Sequence, residues 1–452
     1  MTSGLHVARI GALAALAMLS YASVAAAREL TDAGDATTSM ARAVRSGDVS
    51  AARALLRHHV DLNRPLPDGS TLLAWAVESQ NSEMARLLLD HGAKASGIGD
   101  IPVSPLFIGC QYGDSAMLTL LLDSRADVKA TRPDGITPLS LCAGNAPPAI
   151  LDRMIAAGAA VDRPDDTGQT PLMWAAAKGR MDNVRLLISR GAQVNRKSAK
   201  GFTPLFFALK SPAPDAPAVL LAAGADPDYV APDGTSAVQL AMYQKHYAFA
   251  AQMIARGADL TAIDRNGNRL LHAAVLANQP TLVKTLLDKG ADPNALTGVS
   301  KIRMRFEVNF KSGEYEPPPK PPLLLAAESG DEQVMQLLVN AGANPQFRMS
   351  DGTNVLLAAA ASSKVAALRL ALQLVPDPNI TTKDGDTPLH VLLATGSGAD
   401  LAPMMKLLAD AGARTDLRNR AGQTPADIAK EAQTDAKLAY DNAFAARRVG
   451  KL

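Results

Sequence analysis

Glycines recur along this chain in two ladders that share one step of 33 residues, and nothing else in the sequence restricts the fold so tightly. The first ladder precedes a Thr-Pro-Leu-like triplet. It runs Gly69, Gly135, Gly168, Gly201, Gly234 and Gly267, with Pro102 at the vacant rung. The second, in Gly-Ala pairs, runs Gly92, Gly158, Gly191, Gly224, Gly257 and Gly290. Gly352, Gly385 and Gly422 continue the first ladder after one interruption. Two ladders in phase mark a reiterated supersecondary unit. At about 150 residues per domain, 452 residues would suggest three globules. A fixed step predicts one extended array instead, covering residues 28–452.

The unit reads DxxGxTPLxxAAxxGxxxxVxxLLxxGAxxN and is clearest at 165–195. Gly168 permits a turn that a Cβ would obstruct. Thr170 can cap a helix, and Pro171 fits its first turn, where the missing N–H is no loss. Leu172, Ala175 and Ala176 then face the neighbouring helix. Val184, Leu187 and Ile188 make one apolar face of a second helix, which Gly191 terminates. This unit resembles the ankyrin repeat, in about twelve copies from near residue 36 to the end, with atypical outer copies. The resemblance implies an all-α solenoid of paired antiparallel helices with β-hairpin finger loops. It also implies that His272 and His390 bridge adjacent units by hydrogen bonds.

Residues 1–27 read as a cleaved secretory signal. Arg9 precedes a 13-residue apolar run, and Ala25-Ala26-Ala27 offers a cleavage site. That run is shorter than the roughly 20 residues a membrane span needs. The expectation is a soluble, monomeric protein of the bacterial periplasm with no membrane contact after cleavage. Lys plus Arg number 46 against 44 Asp plus Glu, which argues against nucleic acid as partner. The two cysteines fall on first helices of adjacent units. Helix axes pack about 8–10 Å apart, while a disulfide wants Cα atoms within about 7 Å. Buried free thiols are therefore expected, with a disulfide as the alternative. No HExxH, GxSxG, Walker or GxGxxG motif is present, so neither catalysis, metal nor cofactor is predicted.

The pattern departs in three places. Gly267 to Gly352 spans 85 residues against 66 for two units, an excess of 19. In this insertion, near 299–319, apolar Ile302, Met304, Phe306, Val308 and Phe310 alternate with polar residues, a strand signal. Ser312-Gly313 would turn the chain back towards Tyr315, making an extended hairpin. Residues 211–217 carry three prolines that must shorten a second helix. Val375-Pro376 replaces a Gly-Ala pair.

By the resemblance, partners bind at finger tips and along the concave face of the first helices. Carried over position by position, this selects Gln111, Tyr112, Gln169, Lys178, Lys200, Phe202, Lys210, Tyr243, Gln244 and Arg265. The hairpin adds Phe306, Phe310 and Tyr315. Trp75 and Trp174, at one shared repeat position, are expected to pack in the core. The sequence reading is a periplasmic protein-binding scaffold. The alternative is an accessory or cofactor-holding subunit of a periplasmic redox enzyme, with the insertion as a lid.

Overall fold

The computed structural model describes residues 36–58, 60–96, 104–301, 304–308, 311–315 and 318–449, by backbone alone at 304–308, 311–315 and 446–449. The expected signal at 1–27 lies outside the described residues. The chain divides into two compact units, Met1–Asp226 and Pro227–Leu452. Among the described residues each holds six helix pairs, numbered here as repeats 1–6 and 7–12. None of these helices is long and apolar enough to cross a membrane.

In the first unit the inner helices are Ala36–Ser46, Leu72–Glu78, Pro105–Tyr112, Pro138–Asn145, Pro171–Ala177 and Pro204–Lys210. In the second they are Ala237–Tyr243, Leu270–Leu276, Pro322–Ser329, Val355–Ala361, Pro388–Thr395 and Pro425–Glu431. Within each unit, every inner helix packs on the next. Repeat 5 shows why. Leu172, Ala175 and Ala176 of the inner helix and Val184 and Leu187 of the outer helix, Met181–Ser189, are all fully buried. Each such leucine contributes about 2 kcal/mol through burial. No single repeat can bury both of its faces, so stability accrues at the junctions. Thr170 accepts a hydrogen bond from Met173 N, with Pro171 in the first helical turn. The outer helix of repeat 6, Ala216–Ala222, has seven residues against nine in repeat 5.

Both glycine ladders adopt left-handed backbone, for example Gly168 at φ +75° and Gly191 at +92°. Gly168 is doubly constrained, because a Cβ there would come within 2.4 Å of Ala199 N in the next finger. The fingers are not β-hairpins, as the resemblance implied. Each is a five-residue turn closed at both ends, as in Asp165 N–H to Gln169 O at 2.9 Å and Gly168 N–H to Asp165 O at 2.8 Å. The same pair of bonds closes Ser198–Phe202, Ala231–Thr235 and Asp264–Asn268. One further bond joins neighbouring fingers, such as Ala199 N–H to Thr167 O at 2.9 Å. With so few bonds per finger no ladder forms. A single bridge, Val230 to Ser236, is the only strand-like finger pairing among the described residues.

The insertion forms the strands β1 (Met304–Val308) and β2 (Lys311–Tyr315), paired antiparallel from Met304 opposite Tyr315 to Val308 opposite Lys311. This register corrects the expected turn. Gly313 pairs with Phe306 and Ser312 with Glu307, so both lie within β2 and not at a turn. At the base, Thr297 N–H donates to Lys320 O at 3.0 Å and Lys320 N–H to Thr297 Oγ1 at 2.9 Å. His272 Nε2 donates to the same Lys320 carbonyl at 3.2 Å. Repeat 9 therefore resumes on repeat 8 as though the insertion were absent. Asn294 does the same on the other side, donating to Gly342 O at 2.9 Å.

Cys110 and Cys142 form a disulfide, contrary to the expected free thiols. Axis spacing was the wrong criterion. Both side chains sit on the facing surfaces of the inner helices of repeats 3 and 4, where the Cα atoms approach to 4.4 Å. Small residues permit this. A Cβ at Gly113 would lie 2.5 Å from Asn145 O, and Asn145 Nδ2 donates to Cys110 O at 3.2 Å.

Candidate protein-binding face

One inner-helix position carries a stripe of large apolar side chains through the first unit. Trp75, Ile108, Leu141, Trp174 and Phe207 follow one another at the repeat step, and each is half-buried. They border the inner-helix surface and are not sealed in the core, which corrects the expectation for Trp75 and Trp174. Both indoles are fixed in place. Trp75 Nε1 donates to Asp68 Oδ2 and Trp174 Nε1 to Asp165 Oδ2, each at 3.3 Å. Asp165 is buried and also accepts from Thr167 and Gln169 N–H groups. A finger Asp, one residue before the glycine in repeat 2 and three before it in repeat 5, thus also orients an aromatic ring. Arg45 lies 4.2 Å above Trp75, a cation–π contact that caps the stripe at repeat 1.

Five of the residues selected from the sequence gather beside this stripe on repeats 5 and 6: Gln169, Lys178, Lys200, Phe202 and Lys210. Phe202 is half-buried, stacked at a tilt on Phe206 at 5.7 Å, and Lys210 Nζ sits 5.4 Å from its ring. Lys178 and Lys200 are exposed, and Gln169 Nε2 donates to Thr167 Oγ1 at 2.9 Å. Gln111 and Tyr112 are exposed at the end of the repeat 3 inner helix, Tyr112 at 52%.

In the second unit the selected residues are differently engaged. Tyr243 is half-buried, and its hydroxyl donates to Asp264 Oδ2 at 2.6 Å while accepting from Asn268 Nδ2 at 3.0 Å. Burial, with Asp264 beside it, pushes its pKa above the ordinary tyrosine value. This phenol locks repeat 7 to repeat 8 and offers no open anchor. Gln244 is exposed, and Arg265 pairs loosely with Asp233 at 3.9 Å. Phe306 and Tyr315 lie on β1 and β2, and Phe310 lies outside the described residues. His272 is buried, accepts from Arg269 N–H through Nδ1, and is held down to a pKa of about 4 by burial. His390 makes the matching bridge to Gln423 O at 3.1 Å. Both are structural.

Sequence reasoning missed the role of the closing motif asparagine. Asn195 Nδ2 donates to Gly224 O at 2.9 Å and its Oδ1 accepts from Asp226 N at 2.9 Å. Asn63, Asn294 and Asn379 repeat this bridge across their own junctions. Asn four residues after the glycine of a Gly-Ala pair, as at Gly191–Asn195 and Gly290–Asn294, was the available signal.

No cluster of three or more His, Cys, Asp or Glu suited to a metal occurs among the described residues. Stacked helix pairs joined by tight turns, with an aromatic stripe beside the turn-borne side chains, define a helical repeat protein. The family profile of ankyrin repeats matches residues 6–97, 106–198, 150–231, 205–297 and 323–419, well over half of the sequence. The chain belongs to the ankyrin-repeat family. It is 36% identical over 123 residues to mouse (Mus musculus) ankyrin repeat and SOCS box protein 16, covering 25% of this chain and 26% of that protein. The human (Homo sapiens) counterpart is 32% identical over 136 residues, 28% of each chain. A probable serine/threonine-protein kinase of Dictyostelium discoideum is 26% identical over 133 residues, 28% of this chain and 13% of the kinase. The chain therefore spans 26% and 28% of the length of the two SOCS box proteins and 13% of the kinase. Ankyrin repeats typically mediate binding to another protein, and proteins built of them are generally non-catalytic scaffolds.

Proposed function

We propose that this chain is a non-catalytic, monomeric scaffold of the bacterial periplasm that holds another protein against the finger and inner-helix face of repeats 2–6. The stripe from Trp75 to Phe207 carries this reading. Five large apolar side chains in register, half-exposed and rimmed by polar groups, are the anchors an interface uses. The insertion supplies a second contact, with Phe306, Phe310 and Tyr315 as its residues. A two-stranded hairpin leaves strand edges that a partner can pair with. Export rests on the signal pattern at 1–27. The buried Cys110–Cys142 disulfide adds support, since such bonds persist in oxidising compartments.

The immobilised full chain should retain a partner from periplasmic extract in near-stoichiometric amount. A Trp174→Glu/Phe207→Glu variant with unchanged circular dichroism should release it. Retention by that variant, or no retention by the native chain, would remove this face from the account. Fusing residues 1–40 to alkaline phosphatase tests export separately: activity is expected, and an inactive fusion rejects the periplasmic assignment.

A further inference from the structure

The finger of repeat 6 reverses the charge of its counterparts. At the position before the finger glycine, repeats 2, 4, 7, 10 and 11 carry Asp68, Asp134, Asp233, Asp351 and Asp384, and repeat 6 carries Lys200. Three of those acids are balanced by arginines, Asp134 by Arg132 at 3.2 Å, Asp233 by Arg265 at 3.9 Å and Asp384 by Arg420 at 3.0 Å. Lys200 has no such counter-charge, nor has Lys178 at the end of the repeat 5 inner helix, among the described residues. The finger segment 196–202, RKSAKGF, contains three basic residues and no acid. The acid on the adjoining finger, Asp166, leans the other way. A Cβ at Gly135 of repeat 4 would lie 2.7 Å from its Oδ1. Between these lysines lie the half-buried rings of Trp174, Phe202 and Phe207, with Lys210 over Phe202.

We infer that repeats 5 and 6 receive an extended acidic segment of the partner protein. Its carboxylates meet Lys178, Lys200 and Lys210, and an apolar side chain lies on Trp174 and Phe207. This rests on the scaffold reading and specifies the partner's chemistry. Lys178 and Lys200, without a counter-charge, raise the local potential of this face, and a segment of opposite sign relieves it while the rings supply contact area. A neutral or basic segment would gain only the apolar part.

The test uses the full chain and three fluorescein-labelled 12-residue peptides with a common Leu and Pro framework, bearing Glu, Gln or Lys at the remaining positions. Fluorescence anisotropy should show saturable binding of the Glu peptide, weakening as salt rises from about 50 to 200 mM. The Gln peptide and the Lys178→Glu/Lys200→Glu/Lys210→Glu variant should each weaken binding about tenfold or more. Trp174→Ala should weaken the Glu and Gln peptides alike. Equal binding of Glu and Gln peptides, an unaffected triple variant, or no binding of the Glu peptide would overturn the inference. Those results leave the scaffold reading standing if extract capture succeeds, whereas failed capture alongside peptide binding strikes the scaffold and spares the acidic site.

Discussion

Repeats 2–6 and repeats 7–12 share one architecture and differ at one helix position. The first set places Trp75, Ile108, Leu141, Trp174 and Phe207 there. The second set places Leu240, Ala273, Leu325, Ala358, Val391 and Ile428. Their junctions differ as well. The first unit is stapled by a disulfide and by Asn183, whose Nδ2 donates to Ala143 O at 2.9 Å and Ala146 O at 2.8 Å. The second relies on His272 and His390 and must bridge an insertion. Stacking needs only the Thr-Pro-Leu start, the alanines and the glycines, so the remaining positions are free to diverge. The first unit spends that freedom on aromatic surface and covalent rigidity.

The largest expected effect breaks the staple. Replacing Cys110 and Cys142 by alanine removes a 32-residue cross-link, worth about 3–4 kcal/mol on loop entropy. Both tryptophans lie in the first unit, so the urea midpoint followed by fluorescence should fall, while ellipticity from the second unit should hold its own midpoint. Coincident shifts in both signals would erase the distinction between the units. Asn183→Ala orphans two buried carbonyls and should lower the same fluorescence midpoint by about 2 kcal/mol.

The second unit should respond to acid. His272 is held at a pKa of about 4, below its unfolded value of roughly 6.5. The unfolded chain therefore binds the proton first, and stability falls as pH drops from about 6.5 towards 4. At pH 5 the loss from this residue is about 2 kcal/mol, seen as a lower urea midpoint of the second unit. His272→Asn should flatten that slope, and an unchanged slope would assign it to other groups. Smallest of all is the insertion. Exchanging 302–317 for a short Gly-Ser turn, with Thr297 and Lys320 kept, should move the midpoint by no more than about 0.5 kcal/mol.

The repeat step and the helix pairs were legible because each depends on local residues at fixed spacing, and the bridging histidines because the family resemblance implied them. The disulfide was not, since it depends on how near two helices come at one point. That approach is set by Gly113, where a Cβ would meet Asn145, together with its neighbours. The finger hairpins that the resemblance implied reduce to tight turns with one isolated bridge among the described residues, because too few bonds close each finger for a ladder. In the insertion, alternation marked strands, but Ser312-Gly313, read as the turn, pairs within β2. Five candidate residues fall on repeats 5 and 6, yet the stripe itself went unread. Ile108, Leu141 and Phe207 look like ordinary core residues until their shared half-exposure is seen.

The most direct test of the claim that recognition by the finger and inner-helix face belongs to the first unit is photo-cross-linking in living cells. A benzophenone amino acid would replace Lys178 or Phe202 in one pair of variants and Thr353 or Ser362, their counterparts in repeat 10, in another. The account predicts one cross-linked partner of a single size from positions 178 and 202, and none from 353 and 362. Cross-links from the repeat 10 positions alone, or equally from all four, would contradict it.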